Sequence, residues 1–386
     1  MIIQPFLITM NKIQTIFIFI LVFSFTTKAN KIKSNILLLD STTTATITFV
    51  GDLMGHSTQL KYAMLKDSTY NFKPVYRYVK DYLSQADLTV GNLETVLGGD
   101  SINYSGYPLF NSPDEYLTAL KYTGFDLLIT ANNHSLDKGE YGLRRTIEQI
   151  KKNNMLYSGT SLTKAERDSV KIIDINGIKL SILSYTYGTN GNRIPKGKEY
   201  LINRINFKKI KNDIQKSKEK DADMIIVYYH FGKEYKREPS KYQKEVVDST
   251  LNYGADIIIG SHPHVVQPIK FIDKKDRRTF VAYSLGNFIS NQRWRYSNGG
   301  VILTIKIKKD FKSGKSIVSN IDYLPTYVFK GKTKYKNEFV IIPSTYYYTS
   351  PIYQFFNDST FKEMLQSFED TNEKLKSYSD LPVIDK

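Results

Sequence analysis

Residues 256–264, Asp-Ile-Ile-Ile-Gly-Ser-His-Pro-His, are the stretch of this chain that decides its fold. The three isoleucines form an apolar run typical of a buried β-strand, and polar side chains follow it at once. His262 and His264 are separated only by Pro263, which stiffens the link between them. Two imidazoles placed in this way can face one metal ion or two adjacent ions. The segment therefore predicts a metal site at the end of a buried strand.

The other histidines of the chain repeat this arrangement. All five histidines lie in short motifs of the same kind, each behind an apolar run: His56, His134, His230, His262 and His264. Two carboxylates also follow apolar runs, Asp52 after ITFV-Gly and Glu94 in Gly-Asn-Leu-Glu. Imidazoles combined with carboxylates are the ligands of hard and borderline metals. The pattern predicts hydrolytic metal chemistry.

Composition limits the possible sites and partners. The chain has 386 residues and 41% hydrophobic content, enough for one large domain or two small ones. It has no cysteine, so disulfides and thiolate metal sites are excluded. The net charge of +16 favours anionic partners, such as acidic polymers, phosphorylated glycans or lipid headgroups. The alternative explanation of the positive charge is a general compositional bias, since the chain is rich in lysine throughout. Nucleic acid is not expected, because no binding motif is present.

The amino terminus resembles a targeting signal. An uncharged stretch, residues 13–27, follows Asn11-Lys12, and Ala29 offers a small-residue cleavage site. The stretch is shorter than the ~20 residues that a spanning helix needs. We expect residues 1–29 to be a signal peptide and residues 30–43 a polar tether; the alternative is an uncleaved anchor. Both predict an extracytoplasmic location, in the periplasm or at the cell surface.

From Thr44 the chain alternates strands and helices, which predicts an α/β domain with some antiparallel sheet. Strands are expected near 45–50, 87–91, 126–131, 223–229, 256–260 and 279–285, and helices near 74–85, 112–124, 140–153, 206–219 and 240–253. Asn176-Gly177 predicts a hairpin within 170–184. The domain is expected to span 44–345, with its motifs in 44–288 and antiparallel strands from about 300. Residues 346–386 are expected to form a C-terminal helical segment.

Six motifs in order carry a family resemblance. They are Gly-Asp, Gly-Asn-Leu-Glu, Ala-Asn-Asn-His-x-x-Asp, His-Phe-Gly-x-Glu-Tyr, Gly-Ser-His-Pro-His-Val-Val-Gln and Ser-Leu-Gly-Asn-Phe. The set resembles the CapA family, the bacterial poly-γ-glutamate capsule synthesis proteins, from about Thr44 to Phe288. That family is similar to the calcineurin-like metallophosphoesterases. The resemblance implies a four-layer α/β/β/α sandwich, metallophosphatase-like, with one or two divalent ions (Mn, Fe, Zn or Mg).

The resemblance also implies a role for each matching residue. The implied metal ligands are Asp52, Glu94, Asn133, His230, His262 and His264. Among them, Glu94 stands where a carboxylate bridges the two ions, and His264 belongs with Asp52 at the first ion. His134 resembles an acid or charge stabiliser for the leaving group, and Asp137 of the same motif is the second catalytic candidate.

Two departures weaken the first metal position more than the second. Met54 stands where the metallophosphoesterases have a histidine, and Glu94 replaces an aspartate. His56 is the alternative ligand for the first ion and otherwise a candidate for substrate binding. Glu234 and Asn287 are further substrate-binding candidates; Glu234 is alternatively an acceptor that orients His230, and Asn287 a turn residue.

Two functions remain open. The first is a metal-dependent hydrolase that acts on an anionic cell-surface polymer or its precursor, with a phosphoester and an amide bond both possible. The second is a non-catalytic surface protein that binds capsule polymer and keeps a vestigial metal site. Capsule machinery at the membrane surface is a further expected partner. A nucleotidase would need adenine-stacking features, and none is identifiable in the sequence.

Overall fold

The fold is that of a computed structural model, which describes residues 41–274, 277–344 and 355–376. The expected signal peptide, the tether up to residue 40 and the end of the C-terminal segment lie outside these residues. The strands, β1 to β14 in chain order, are Thr42–Leu53, Leu88–Leu93, Leu127–Ile129, Leu156–Ser158, Ile172–Ile175, Ile178–Thr186, Met224–His230, Ile257–Ser261, Ile269–Lys274, Arg277–Ala282, Asn287–Ile289, Gly299–Asp310, Lys315–Lys332 and Asn337–Pro343. The α-helices, α1 to α8, are Ser57–Ala63, Lys80–Ser84, Asp114–Thr123, Gly139–Lys152, Lys164–Asp168, Phe207–Glu219, Lys241–Tyr253 and Asp358–Lys376.

Two sheets organise the described chain. The 8-stranded sheet has the order β14-β13-β12-β1-β2-β3-β4, with β11 also paired to β1. Within it, β1 to β4 are parallel, and β12 to β14 continue the sheet as antiparallel strands. The 6-stranded sheet has the order β5-β6-β7-β8-β10-β9, and its central strands β6, β7, β8 and β10 are parallel. Parallel strands bring their carboxyl ends to one edge of each sheet.

Alternating side chains of each sheet fill separate cores. Ile47 and Phe49 of β1 pack with Ile226 of β7 in the core between the two sheets. Outside the 8-stranded sheet, helices such as α3 and α4 cover a second core, and α8 covers part of β13 and β14. On the outer face of the other sheet, α6 and α7 cover a third core. The order helices, sheet, sheet, helices confirms the predicted α/β/β/α sandwich.

Local differences from the sequence prediction have physical causes. The expected helix 74–85 is a 3-10 turn at Lys73–Tyr76 followed by the short helix α2. Tyr76, Val79 and Leu83 are buried, so the apolar period of one helix persists although the backbone changes. Strand β1 begins at Thr42, inside the expected tether, because Thr42 pairs with Asp310 of β12.

The carboxyl end of β10 also differs from the prediction. The expected strand 279–285 ends at Ala282, and the chain then crosses to the other sheet, where Asn287 pairs in parallel with Asp52. Among the described residues, no helix has the length and apolar character needed to cross a membrane.

Candidate metal centre

The predicted site residues meet where the parallel strands of both sheets end. Asp52 lies near the end of β1, Glu94 directly follows β2, His230 ends β7, and His262 directly follows β8. The Tyr228 hydroxyl donates to the Val50 carbonyl at 3.2 Å, which ties the two sheets together just below these residues. One edge of the sandwich therefore gathers candidate ligands from four strands.

Two buried carboxylates form the floor of the site. Asp52 and Glu94 are both 0% exposed. Asp52 accepts a hydrogen bond from Asn92 Nδ2 at 2.8 Å. Neither oxygen of Glu94 has a hydrogen-bond partner among the described residues. Burial and the neighbouring charge of Asp52 raise the pKa of Glu94 well above its ordinary value. Burial opposes ionisation of Asp52 too, but the hydrogen bond and charge of His264 outweigh it and lower its pKa.

The histidine ring nitrogens point at these carboxylates. His264 Nδ1 lies 2.9 Å from Asp52 Oδ2 and 3.1 Å from Asn287 Oδ1. Both neighbours accept hydrogen bonds, so Nδ1 carries a proton, and Nε2 lies 3.9 Å from Glu94 Oε1. His230 Nε2 lies 2.8 Å from Asn133 Oδ1 and 3.4 Å from Glu94 Oε1.

Burial keeps two of these imidazoles neutral. It lowers the pKa of His262 to about 3, with a further contribution from the charge of His264. Burial and the neighbouring His262 lower the pKa of His230 well below its ordinary value. The neutral imidazole is the form that ligates metals, so both rings are ready to act as ligands near neutral pH.

These side chains satisfy the spatial requirement for a cation site. Ligand atoms of Asp52, Glu94 and His230 all lie within 4.8 Å of one another, and so do those of Glu94, His262 and His264. Glu94 belongs to both groups, which is the position of a shared ligand. A buried carboxylate without a hydrogen-bond donor is costly, and a cation removes that cost. The residues present therefore fit one or two divalent ions, while the division of ligands between two ions stays a prediction.

The backbone at the two histidines after β8 is held in a rare conformation. His262 has φ 97° and His264 has φ 59°, on either side of Pro263. Residues with a side chain seldom occupy this left-handed region, and such strain is concentrated at functional sites. The conformation turns both imidazoles towards the carboxylates.

A second pair lies at the margin of the centre. His134 Nδ1 is 2.7 Å from Asp137 Oδ2, which also accepts the backbone N–H of Phe110. This contact fixes the proton on Nδ1 and leaves Nε2 facing Asn190 Nδ2 at 3.5 Å. Phe110 packs edge-on against the His134 ring, with centroids 4.6 Å apart. His134 and Asp137 therefore form a rigid pair beside the ligands and not among them.

Residues 46–292 match the model of the bacterial capsule synthesis protein family PGA_cap, over more than half of the chain. The chain belongs to this family. It is 28% identical over 298 residues to the capsule biosynthesis protein CapA of Bacillus anthracis, covering 75% of this chain and 69% of that protein. It is 27% identical over 319 residues to the PGA biosynthesis protein CapA of Bacillus subtilis (strain 168), covering 79% and 78%.

The chain is also similar to proteins of known structure. One is the NAD nucleotidase of Haemophilus influenzae, at 13% identity and a TM-score of 0.47, covering 89% of this chain and 64% of the nucleotidase. Another is the calcineurin-like phosphoesterase YfkN of Bacillus subtilis, at 15% identity and a TM-score of 0.39, covering 86% and 98%.

In this PGA_cap protein, His56 does not replace the missing histidine at position 54. His56 is the N-cap of α1, and its Nδ1 lies 3.1 Å from Gln59 Oε1 and accepts the Asn291 N–H at 3.3 Å. Burial lowers its pKa to about 4. It belongs to neither metal-ligand group. Met54 itself is 2% exposed, so a non-ligating thioether side chain is buried at the position of the expected ligand.

The surroundings of the two other substrate-binding candidates differ from each other. Glu234 does not orient His230, because the Nδ1 atom of that ring lies 3.0 Å from Ser261 Oγ; Glu234 is exposed at the mouth of the site. Asn287 is 0% exposed, and its amide nitrogen donates to Gln292 Oε1 at 2.8 Å. Its oxygen lies 3.1 Å from His264 Nδ1, so Asn287 supports that ring.

Sequence reasoning missed the amides that connect the site. Asn92 Nδ2 bridges Asp52 and the Nδ1 atom of His230, at 2.8 and 3.2 Å. Asn132 Nδ2 donates to Asn92 Oδ1 at 3.1 Å. Both lie in motifs that were recognised, so their position at strand ends was the available signal. Asn190 comes from the loop after β6, and the carboxyl end of that parallel strand was the only hint.

Aromatic side chains form the walls around the centre. The Tyr187 ring lies 4.5 Å from His262, and the Tyr235 ring lies 6.0 Å from His264. Trp294, the only tryptophan of the chain, contacts Tyr235 edge-on with centroids 4.9 Å apart and is 50% exposed. Because Tyr235 and Trp294 are partly exposed, this wall extends from the centre to the surface.

Proposed function

We propose that this PGA_cap protein is a metal-dependent hydrolase of the cell envelope that acts on an anionic surface polymer or its precursor. The observation that carries the proposal is Glu94, a wholly buried carboxylate whose two oxygens have no hydrogen-bond partner among the described residues. Asp52 and neutral histidines surround it. A purely structural cluster would be expected to satisfy such a group with donors.

The chain's own residues divide into holding and proton-handling roles. Asp52, Glu94, His230, His262 and His264 would hold the cation, together with the amide oxygen of Asn133. When bound, a divalent ion supplies Lewis acidity towards the scissile group and lowers the pKa of a water molecule. Asn92 and Asn287 fix the ligand rings through the hydrogen bonds described above.

His134 is placed to move a proton at the leaving group. Asp137 holds the proton on His134 Nδ1, so Nε2 faces the open side of the centre beside Asn190. When Nε2 is also protonated, with Asp137 balancing the positive charge of the ring, it could give that proton to the departing atom and return to the neutral form that keeps its proton on Nδ1, as in general acid catalysis. Phe110 prevents the ring from tilting away. This arrangement serves an ester or an amide equally, because each leaving group needs a proton.

The relatives, the amino-terminal sequence and the net charge support the envelope location and the capsule polymer in this proposal. The relatives in Bacillus bear the names capsule biosynthesis protein and PGA biosynthesis protein. The apolar run of residues 13–27 is typical of an export signal. An anionic capsule polymer also suits the net charge of +16.

The deciding experiment is metal analysis of the purified protein, paired with hydrolysis assays on p-nitrophenyl phosphates and γ-glutamyl peptides. We expect at least one bound divalent ion per chain and metal-dependent turnover on one substrate class. The matched control is Glu234→Gln, which changes an exposed carboxylate at the mouth and should retain the metal. A protein without metal and without turnover would favour the alternative function of a polymer-binding surface protein, which Met54 supports by removing one expected ligand.

A further inference from the structure

A groove lies beside the candidate metal centre. It has a volume of about 910 Å³, and its lining includes Tyr187, Asn190, Arg193, Arg204, Asn206 and Lys209. Pockets of ~300–1,000 Å³ accommodate ligands of several groups rather than single ions. We call this feature, defined by these six residues, the basic groove.

Two residues of the basic groove contact the residues of the centre. The Tyr187 ring lies 4.5 Å from the His262 ring. Asn190 Oδ1 accepts from Asn133 Nδ2 at 3.2 Å, and Asn190 Nδ2 lies 3.5 Å from His134 Nε2. The groove therefore borders the centre through Tyr187 and Asn190.

The outer part of the basic groove is electropositive. Arg193, Arg204 and Lys209 line it, against one carboxylate, Glu199. Within the described chain, none of these three cations takes part in a salt bridge, whereas many other arginines do. Asn206 is the N-cap of α6, so the positive end of that helix dipole lies at the same wall. Unpaired cations along a concave surface attract anions.

We propose that the basic groove binds the regularly spaced oxyanion groups of a linear polymer whose next bond lies at the metal centre. The direction of the polymer rests on the proposed function, but binding by the groove does not. Arg193 and Arg204 can each hold a carboxylate or a phosphate through two parallel hydrogen bonds. An extended anion with several oxyanion groups could contact more than one of these cations at once, which would favour it over a small anion.

The test is binding by fluorescence anisotropy with the full-length protein in EDTA, so that metal does not contribute. The probes are a fluorescein-labelled oligomer of γ-linked glutamate and a labelled short-chain polyphosphate, which distinguish carboxylate from phosphate as the preferred group. The variant is the triple Arg193→Ala, Arg204→Ala, Lys209→Ala. A matched control removes three exposed lysines elsewhere, Lys66, Lys306 and Lys308.

We expect the groove triple to bind the preferred probe about 10-fold more weakly and the control triple within about 2-fold of the unmodified protein. Added salt should reduce the difference, because exposed charges are screened. Equal losses in both triples, or no loss in the groove triple, would overturn the proposal. Selective weakening in a protein that binds no metal and hydrolyses nothing would leave the groove standing and the hydrolase rejected.

Discussion

Replacing Glu94 by glutamine separates a metal ligand from a structural carboxylate. Glu94 belongs to both groups of candidate ligands, so an amide at this position should weaken the binding of each ion that the centre holds. Glutamine has the same shape as glutamate and places an N–H beside Asp52. It also removes the repulsion between two buried carboxylates, which raises the pKa of Glu94 in the wild-type protein. We therefore expect Glu94→Gln to lose the response to metal without losing folded stability.

The size of the effect follows from ligand linkage. At a metal concentration 100 times the dissociation constant, binding stabilises the folded protein by about 2.7 kcal/mol. If the variant binds ~100-fold more weakly, the same concentration adds only about 0.4 kcal/mol. Since the entropy of unfolding is about 2.1 cal/mol/K per residue, a domain of about 300 residues gains roughly 4 °C in melting temperature from the first value and less than roughly 1 °C from the second.

Without metal, the order of stability should reverse: the glutamine variant should become more stable than the wild-type protein as the pH rises. The pKa of Glu94 is raised in the folded protein, so wild-type stability falls as the pH rises above the ordinary carboxyl pKa of 4.5 and towards the folded value. The glutamine variant has no such titration. Its stability relative to the wild type should therefore increase with pH over that window.

The assay is thermal unfolding of EDTA-treated protein with and without added Mn²⁺, followed by circular dichroism. Glu234→Gln makes the same chemical change at an exposed position and should keep the full metal response. A Glu94→Gln protein that is clearly less stable without metal, yet gains the full metal shift, would refute the reasoning. Glu94 would then be a structural group.

Three further predictions test other parts of the structure. His134→Ala should keep its metal and lose ~10²–10⁴-fold in kcat, whereas His262→Ala should lose metal occupancy, measured by metal analysis and kinetics; equal metal loss in both would contradict the separate roles. Arg167→Ala should cost about 3–5 kcal/mol in urea unfolding because it leaves a buried carboxylate unpaired, and Arg278→Ala, at an exposed pair, about 1 kcal/mol or less. Met54→His should raise the number of bound ions and lower metal-free stability by about 1–3 kcal/mol, because the new buried imidazole lacks a partner without metal; unchanged metal content would contradict this.

The sequence was informative where one short segment determines the outcome. Apolar runs such as Ile257–Ile259 are buried on both faces, so their strand character does not depend on distant residues. Residues at or just after the ends of such strands, including His230 and His264, could therefore be predicted to lie near one another. Parallel strands deliver their carboxyl ends to one edge whatever the connecting loops do.

The rest depends on contacts between distant parts of the chain. Strand β11 has only three residues, Asn287–Ile289, and it exists because β1 offers a free stretch of backbone beside it. No local pattern marks such a strand. Asn190 reaches the centre because the β6 strand ends beside β7, and the sequence between residues 186 and 190 resembles an ordinary polar loop. Ligand allocation likewise needs distances between side chains.

The left-handed backbone at His262 and His264 allows the cost of the turn to be separated from the contribution of the imidazoles. Glycine adopts positive φ without strain, whereas a residue with a side chain does not. Replacing both histidines by glycine would therefore keep the turn, relieve its backbone strain and remove the two rings from beside Glu94.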